Sequence, residues 1–427
     1  MNSLKSFLIV WTMTLIGPQI SLGQVISPSG QEVKFSVASV VTVNRDQNLT
    51  AKQQVQFHVS HLFGIFHSPE LISDSGLDPS LIDGIGAPQS EMNIKIVSQR
   101  ILSSNKLRIS YQAAGTMLLE KHVAKIFIAK KTMAFPLPSD PYEIYQAECT
   151  DEHYSSFGDF WYFYDPYRAG CESLRSPPLA QSVQFNFSPA APAKQDASPR
   201  LDLLRANNGN GDLFTIAIVH GYSDGWNIPN DDGRTNFNEL NAFLRKQGFE
   251  QTSVYSGTTH PIERFTKSVP LANGKRMEVQ INHLLVETTI TSRTVSFAKF
   301  FKEAVSTADV IFYSGHSGLG MNLDIPLLEQ KAGKFVFNPS KRQIFFFDSC
   351  ASYSYYLSTF SAQKTRAKID VVTNGLSSFF MHGEGVLEIF LGILLDPKIN
   401  DMPWSEILKR IESTMNGVTS LINVGGI

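Results

Sequence analysis

The sequence predicts two regions of different class. Residues 24–188 read as mainly β structure, and residues 212–427 as an α/β region in which a mostly parallel sheet is flanked by helices. Three observations carry this. In the first half apolar and polar residues alternate, as at Val33, Phe35 and Val37 and again at Val55, Phe57 and Val59, which is the period of a half-buried strand. In the second half the apolar runs are unbroken, as in Leu213–Val219, Val310–Tyr313 and Ile344–Phe347, as expected of strands covered on both faces. Between the halves the composition shifts to Pro, Ala, Asn and Gly, in Pro189-Ala-Ala-Pro192 and Asn207-Asn-Gly-Asn-Gly211. Residues 189–211 are therefore expected to be a linker.

Within the first region, Met92–Leu102 and Leu107–Tyr111 are joined by Ser103-Ser-Asn-Lys106 and predict a hairpin. The aromatic segment Phe160–Pro166 lies between Cys149 and Cys171. It is expected to be a packed cluster pinned by a bridge between those cysteines, worth roughly 3 kcal/mol. In the second region, Thr235 or Asn236 can cap a helix that ends at Gly248, and a short strand follows at Ser253–Tyr255. Asn273-Gly274 lies between Val269-Pro-Leu271 and Met277–Ile281 and predicts a hairpin inserted into the α/β order. Ser292 then caps a helix with Val295, Ala298, Phe301 and Val305 on one stripe, leading into the strand Val310–Tyr313. After Ile344–Phe347 come a helix from about Ala351, a strand Ile369–Thr373 and two closing helices.

Lys5, the apolar run Phe7–Ile16 and the small residues of Ser21-Leu-Gly23 read as a signal peptide over residues 1–23. The protein is accordingly expected to be secreted or periplasmic. The later apolar stretch Val386–Leu395 carries Glu388 and falls short of the about 20 residues a membrane span needs. A net charge of -2 gives no basic excess of the kind nucleic-acid binding uses. Three cysteines in an exported chain suggest one disulfide and one leftover thiol. Cys350, far from the other two, is the leftover.

Two apolar strands end in reactive residues: Asp309–Tyr313 leads into Ser314-Gly-His316, and Gln343–Phe347 leads into Asp348-Ser-Cys350. The stretch between them is long enough for a crossover between parallel strands, which takes about a dozen residues. Such strand ends share one rim of a parallel sheet, so His316 and Cys350 are expected to face each other there. A free thiol with a pKa near 8.5 is only about 3% thiolate at pH 7, and nucleophilic use needs a basic partner or a helix N-terminus. His316 and the helix after Cys350 would supply both. Backbone N–H groups at Ser317 and Cys350 are the candidate donors to an oxyanion.

Tyr313-Ser-Gly-His316 and Asp348-Ser-Cys350 resemble the two blocks of the caspase, metacaspase, gingipain and clostripain group of cysteine peptidases. That group carries a strand-Gly-His-Gly block and a strand-Asp-Ser-Cys or strand-Ala-Cys block in this order. The resemblance covers roughly residues 212–427, and position 317 is serine where the group usually has glycine. It implies a caspase-like fold, with His316 as general acid/base, Cys350 as nucleophile and the residue after the histidine as an oxyanion donor. From the metacaspase branch it implies that Asp348 receives a basic P1 side chain, hence cleavage of a polypeptide after Arg or Lys. The chemistry agrees, since a carboxylate pairs with Lys or Arg and repels an acid. Asp224, beyond the first strand, is a second candidate acid, although a loop aspartate is also a common turn former.

Two rivals have their own signals. Gly315-His-Ser317 is similar to the nucleophile elbow of α/β-hydrolases, with Ser317 as nucleophile and His382 as base, but Leu319 stands where the elbow wants glycine. A catalytically silent exported binding protein on the same scaffold is the other, because fold does not fix function. Thiol catalysis needs no cofactor or metal. His58, His61 and His67 lack a carboxylate or cysteine at zinc spacing and read as surface histidines, with His58 on a strand. Lys364, Arg366 and Lys368 form a basic loop that an Arg/Lys-specific enzyme could cut in itself.

Overall fold

The structure is a computed structural model. It describes residues 25–45, 49–144, 149, 160–193, 196–200, 213–256, 260–271, 274–289, 294–378, 380–399 and 401–426. The expected leader, Asn273, Ser292 and the His382 side chain fall outside this description.

The first region holds six strands: β1 (Gly30–Asn44), β2 (Gly86–Pro88), β3 (Asn93–Ile101), β4 (Lys106–Glu120), β5 (Thr132–Pro138) and β6 (Ala180–Pro189). They form one antiparallel sheet in the order β2-β4-β1-β6-β5, with β3 also on β4. In β1 the side chains of Val33, Phe35 and Val37 are buried while Lys34, Ser36 and Ala38 reach solvent, the pattern of a sheet wet on one face. The β3–β4 hairpin is the one expected from Met92–Tyr111.

Residues 51–60, expected as strand, are instead a helix. Thr50 caps it and Gln53 reaches back to the Thr50 amide, a reciprocal capping box. Its buried face is Gln54, Val55, His58 and Val59, while Phe57 is only partly covered. Further helices at Leu62–Phe66, Pro69–Asp74 and Lys121–Lys130 make the region an antiparallel sheet with helices rather than mainly β. Cys149 and Cys171 are buried and bridged, with Cα atoms 5.9 Å apart. Within the segment they flank, Tyr164 is buried with its hydroxyl 2.9 Å from the Leu174 carbonyl. Tyr162 stacks on Phe63 at 4.4 Å between ring centroids.

The second region adds β7 (Leu213–Gly221), β8 (Glu250–Tyr255), β9 (Ile262–Pro270), β10 (Arg276–Val286), β11 (Val310–Ser314), β12 (Gln343–Asp348), β13 (Ile369–Thr373) and β14 (Asn423–Gly425). Their order is β14-β13-β12-β11-β7-β10-β9-β8. The five strands from β13 to β10 run parallel, and β14, β9 and β8 extend the edges antiparallel. The strand expected to belong to an inserted hairpin is thus a central one, since β10 pairs with β7 from Glu278↔Leu213 to Val286↔Gly221. Helix Asp232–Lys246 is capped by Asp231, not by Thr235 or Asn236, and it runs out at Gly248 with φ +80°. Thr294 caps helix Val295–Thr307, of whose expected stripe Val295 is exposed.

Both regions share a continuous apolar core that joins Val33, Leu118 and Phe135 to Phe345, Phe347 and Leu376. Ile26 pairs with Val424. Part of the expected linker is also docked, since the Trp404 amide donates to the Ala197 carbonyl (3.2 Å) and Arg200 donates to the Leu394 carbonyl. Among the described residues no helix is long and apolar enough to cross a membrane.

Candidate active site

Strands β11 and β12 are paired in parallel with Ser314 opposite Asp348. Both leave the sheet at the same edge, so His316 and Cys350, each two residues beyond that pair, stand at neighbouring strand ends. The loop around His316 is tightly held. The Tyr313 hydroxyl and the Asn322 amide donate to the His316 carbonyl at 2.6 and 2.8 Å, and the Tyr356 hydroxyl donates to the Ser317 carbonyl at 2.8 Å. Gly315 lies so near Tyr313 and Gly221 that an added Cβ would come within 3.1–3.3 Å of them, tight enough to favour glycine there.

The imidazole Nε2 of His316 lies 2.8 Å from the Ser223 carbonyl. A carbonyl only accepts, so in the neutral ring Nε2 carries the proton and Nδ1 is the basic nitrogen. Ser223 is positioned by Asp231, a fully buried carboxylate that accepts from the Ser223 hydroxyl (3.0 Å) and from the amides of Asp224 (2.7 Å), Gly225 (3.1 Å) and Arg234 (2.9 Å). Burial would raise the Asp231 carboxyl, but these donors hold it below the usual carboxylate range. Asp231 was missed in the sequence, although an aspartate just before an apolar-periodic helix is a cap signal. Asp224, the expected second acid, is exposed and accepts from Ser223 at 3.3 Å.

Cys350 is half-buried, and its Sγ donates to the Ser378 carbonyl at 3.6 Å. The expected helix behind it is short: Ser352–Tyr355 spans four residues, and Ala351 before it is left-handed with φ +50°. So short a helix carries little dipole, and the thiol is not lowered. Burial pushes it up, the hydrogen bond to Ser378 opposes this, and the carboxylates of Asp83 and Asp348 push it further up. Asp348 is buried, with Asn374 (3.0 Å) and the Ser378 hydroxyl both donating to its Oδ1. Neither the Ser317 nor the Cys350 amide has a hydrogen-bond acceptor among the described residues.

The rival elbow fits less well. Ser317 is buried, and the next helix, Ile325–Ala332, starts only after a turn with positive φ at Gly318, Leu319 and Gly320. Of the three histidines expected at the surface, His58 and His61 are core residues, while His67 is half-buried. His58 is fully buried on helix Ala51–Ser60, not on a strand, and His61 is fully buried in the turn after it, with His58 Nδ1 2.9 Å from the Tyr111 hydroxyl and His61 Nδ1 3.0 Å from the Phe57 carbonyl. No cluster of three or more potential metal ligands occurs among the described residues. Lys364 is likewise buried, donating to the Lys341 carbonyl at 2.7 Å, so of the expected basic loop only Arg366 and Lys368 reach solvent.

No family model and no curated protein matches the chain. Among solved structures it is similar to a secreted C11 cysteine protease from Bacteroides thetaiotaomicron, "iotapain", at 12% identity and a TM-score of 0.25, over 47% of this chain and 61% of that one. The chain thus spans about three fifths of that protease's length.

Proposed function

We propose that the protein is an exported, caspase-like cysteine endopeptidase in which Cys350 attacks the scissile carbonyl and His316 moves the proton. The observation that carries this reading is the register of β11 on β12, which delivers a thiol and an imidazole to neighbouring strand ends, with the imidazole Nε2 engaged by Ser223. Because the thiol is held protonated, activation takes the form of general-base catalysis rather than a resting ion pair. Nδ1 of His316 accepts the thiol proton as sulfur bonds to the carbonyl carbon, and the Ser223 carbonyl stabilises the imidazolium through Nε2–H. The oxyanion is received by the Ser317 and Cys350 amides. His316 then gives its proton to the leaving amine, and water hydrolyses the thioester.

Asp348 lies two residues before the nucleophile and is the acceptor for a P1 Arg or Lys, with Asp224 as an outer acid. The disulfide agrees with an oxidising compartment, so the reading includes export to the periplasm or beyond. Fluorogenic peptides with Arg, Lys or Asp at P1 test it. Turnover is expected after Arg and Lys, with a loss of about a thousandfold or more in Cys350→Ala. Turnover that survives Cys350→Ala contradicts the mechanism, and no turnover of any of the three favours a silent scaffold.

A further inference from the structure

We infer that the first region is a lasting wall of the substrate site, and that its Asp83 acts with Asp348 as a two-carboxylate receptor for a cationic side chain beside Cys350. This rests on the reading of Cys350 as the reacting group. The segment that follows Cys350 is clamped by the first region at three points. The Ser354 hydroxyl donates to the Pro88 carbonyl (2.6 Å), the Ser90 amide donates to the Ser354 carbonyl (2.9 Å), and the Tyr353 hydroxyl donates to Glu32 (2.8 Å). Ala351 itself is packed with Phe63 and Ala87. A segment discarded during maturation would take these contacts with it and leave buried polar groups unmatched.

Asp83 enters through the same contact. Its neighbour Gly84 lies so close to Leu376 that a Cβ there would stand 2.8 Å from the Leu376 side chain. The Leu376 carbonyl accepts the Ala351 amide at 2.9 Å. Two residues on, Ser378 accepts from the Cys350 thiol and donates to Asp348. One loop therefore touches the Asp83 segment on one side and both site residues on the other. The Asp83 carboxylate is half-buried and has no hydrogen-bond or ion-pair partner among the described residues. Its charge acts on Cys350 through space, as that of Asp348 does. A guanidinium offers donors along two edges and can engage two carboxylates at once, whereas an ammonium is a compact point charge. The receptor should thus favour Arg over Lys.

The test is protection of Cys350 in the intact chain from iodoacetamide by Nα-acetyl-arginine amide, with the neutral Nα-acetyl-norleucine amide as control. Saturable protection by the arginine compound alone is expected. Asp83→Asn should raise the half-protecting concentration about tenfold, and Asp83→Glu should recover part of it. An unchanged half-protecting concentration in Asp83→Asn, or equal protection by the neutral control, would overturn the inference. The two readings fail separately. Protection without turnover of any peptide removes the peptidase and leaves the receptor, while Arg-directed turnover with kcat/KM unaltered in Asp83→Asn removes the receptor and leaves the peptidase.

Discussion

The antiparallel and the parallel sheet bury their strands differently, and the difference decides where chemistry can sit. In β1 one face is wet, and buried Val33, Phe35, Val37, Val41 and Val43 lie on the other. In β12 every residue from Gln343 to Asp348 is buried, with Phe345 in the core on one side and Phe346 in the core on the other. Cys350 stands two residues beyond its carboxyl end. Histidines follow the same division. His58 and His61 are sealed among helices, and burial lowers them to about 3 and about 4, whereas His316 sits at a strand end with one nitrogen engaged by Ser223. Position relative to the sheet, not residue type, separates the core histidine from the candidate catalyst.

The sharpest way to break this comparison is stability. Phe345→Ala and Phe346→Ala should each cost about 3–5 kcal/mol, while Ser36→Ala in β1 should stay within about 0.5 kcal/mol; urea unfolding would read both. A large cost at only one of the two phenylalanines would refute burial on both faces. Next comes activity: His316→Ala should lower kcat/KM about a thousandfold, near 4 kcal/mol of barrier, with its melting temperature unchanged. His58→Ala should do the reverse, losing about 1–3 kcal/mol of stability by stranding the Tyr111 hydroxyl while the folded fraction keeps its activity.

A third contrast is in pH. Burial raises Glu32 from 4.5 to about 7, so the folded state holds its proton where the unfolded chain has lost it. The stability this contributes is complete below pH 4.5, falls as pH rises towards 7 and is flat beyond. Glu32→Gln should remove that slope, a few kcal/mol between unfolding curves at pH 5 and pH 8, and parallel curves for variant and wild type would deny the burial. His58 and His61 have the opposite sign. They are held neutral, so their contribution is present above pH 6.5 and is lost as pH falls towards their folded values. The smallest loss of activity belongs to Asp231→Ala, a several-fold fall in kcat as Ser223 loses its anchor, together with about 1–2 kcal/mol of stability for the lost cap.

Local signals made β11, β12 and β13 readable, because unbroken apolar runs have few other uses in a short segment. The same locality misled at residues 51–60. There Val55, Phe57 and Val59 satisfy a period of two, yet Thr50 and Gln53 form a capping box and Val55 and Val59 are one helical turn apart. The cap is local and could have been weighed against the alternation. The role of β10 could not, because its parallel partner β7 is separated from it by a helix and two strands, and pairing is a long-range property. For the candidate site, the placement of His316 and Cys350 beyond neighbouring strand ends was legible from motif and strand context. Asp83 was not, since only the packing of Gly84 against Leu376 brings that loop to Cys350. The lowered thiol expected for Cys350 failed because burial and the nearby carboxylates push it up, and the helix behind it ends after one turn.

The most direct measurement is mass mapping of an arginyl acyloxymethyl ketone, an electrophile that alkylates a thiol poised to attack a carbonyl. A single adduct on Cys350 is predicted in the wild-type protein, formed far more slowly in His316→Ala. An adduct on Ser317 or elsewhere, or an equal rate in the two proteins, would contradict the pairing of thiol and imidazole.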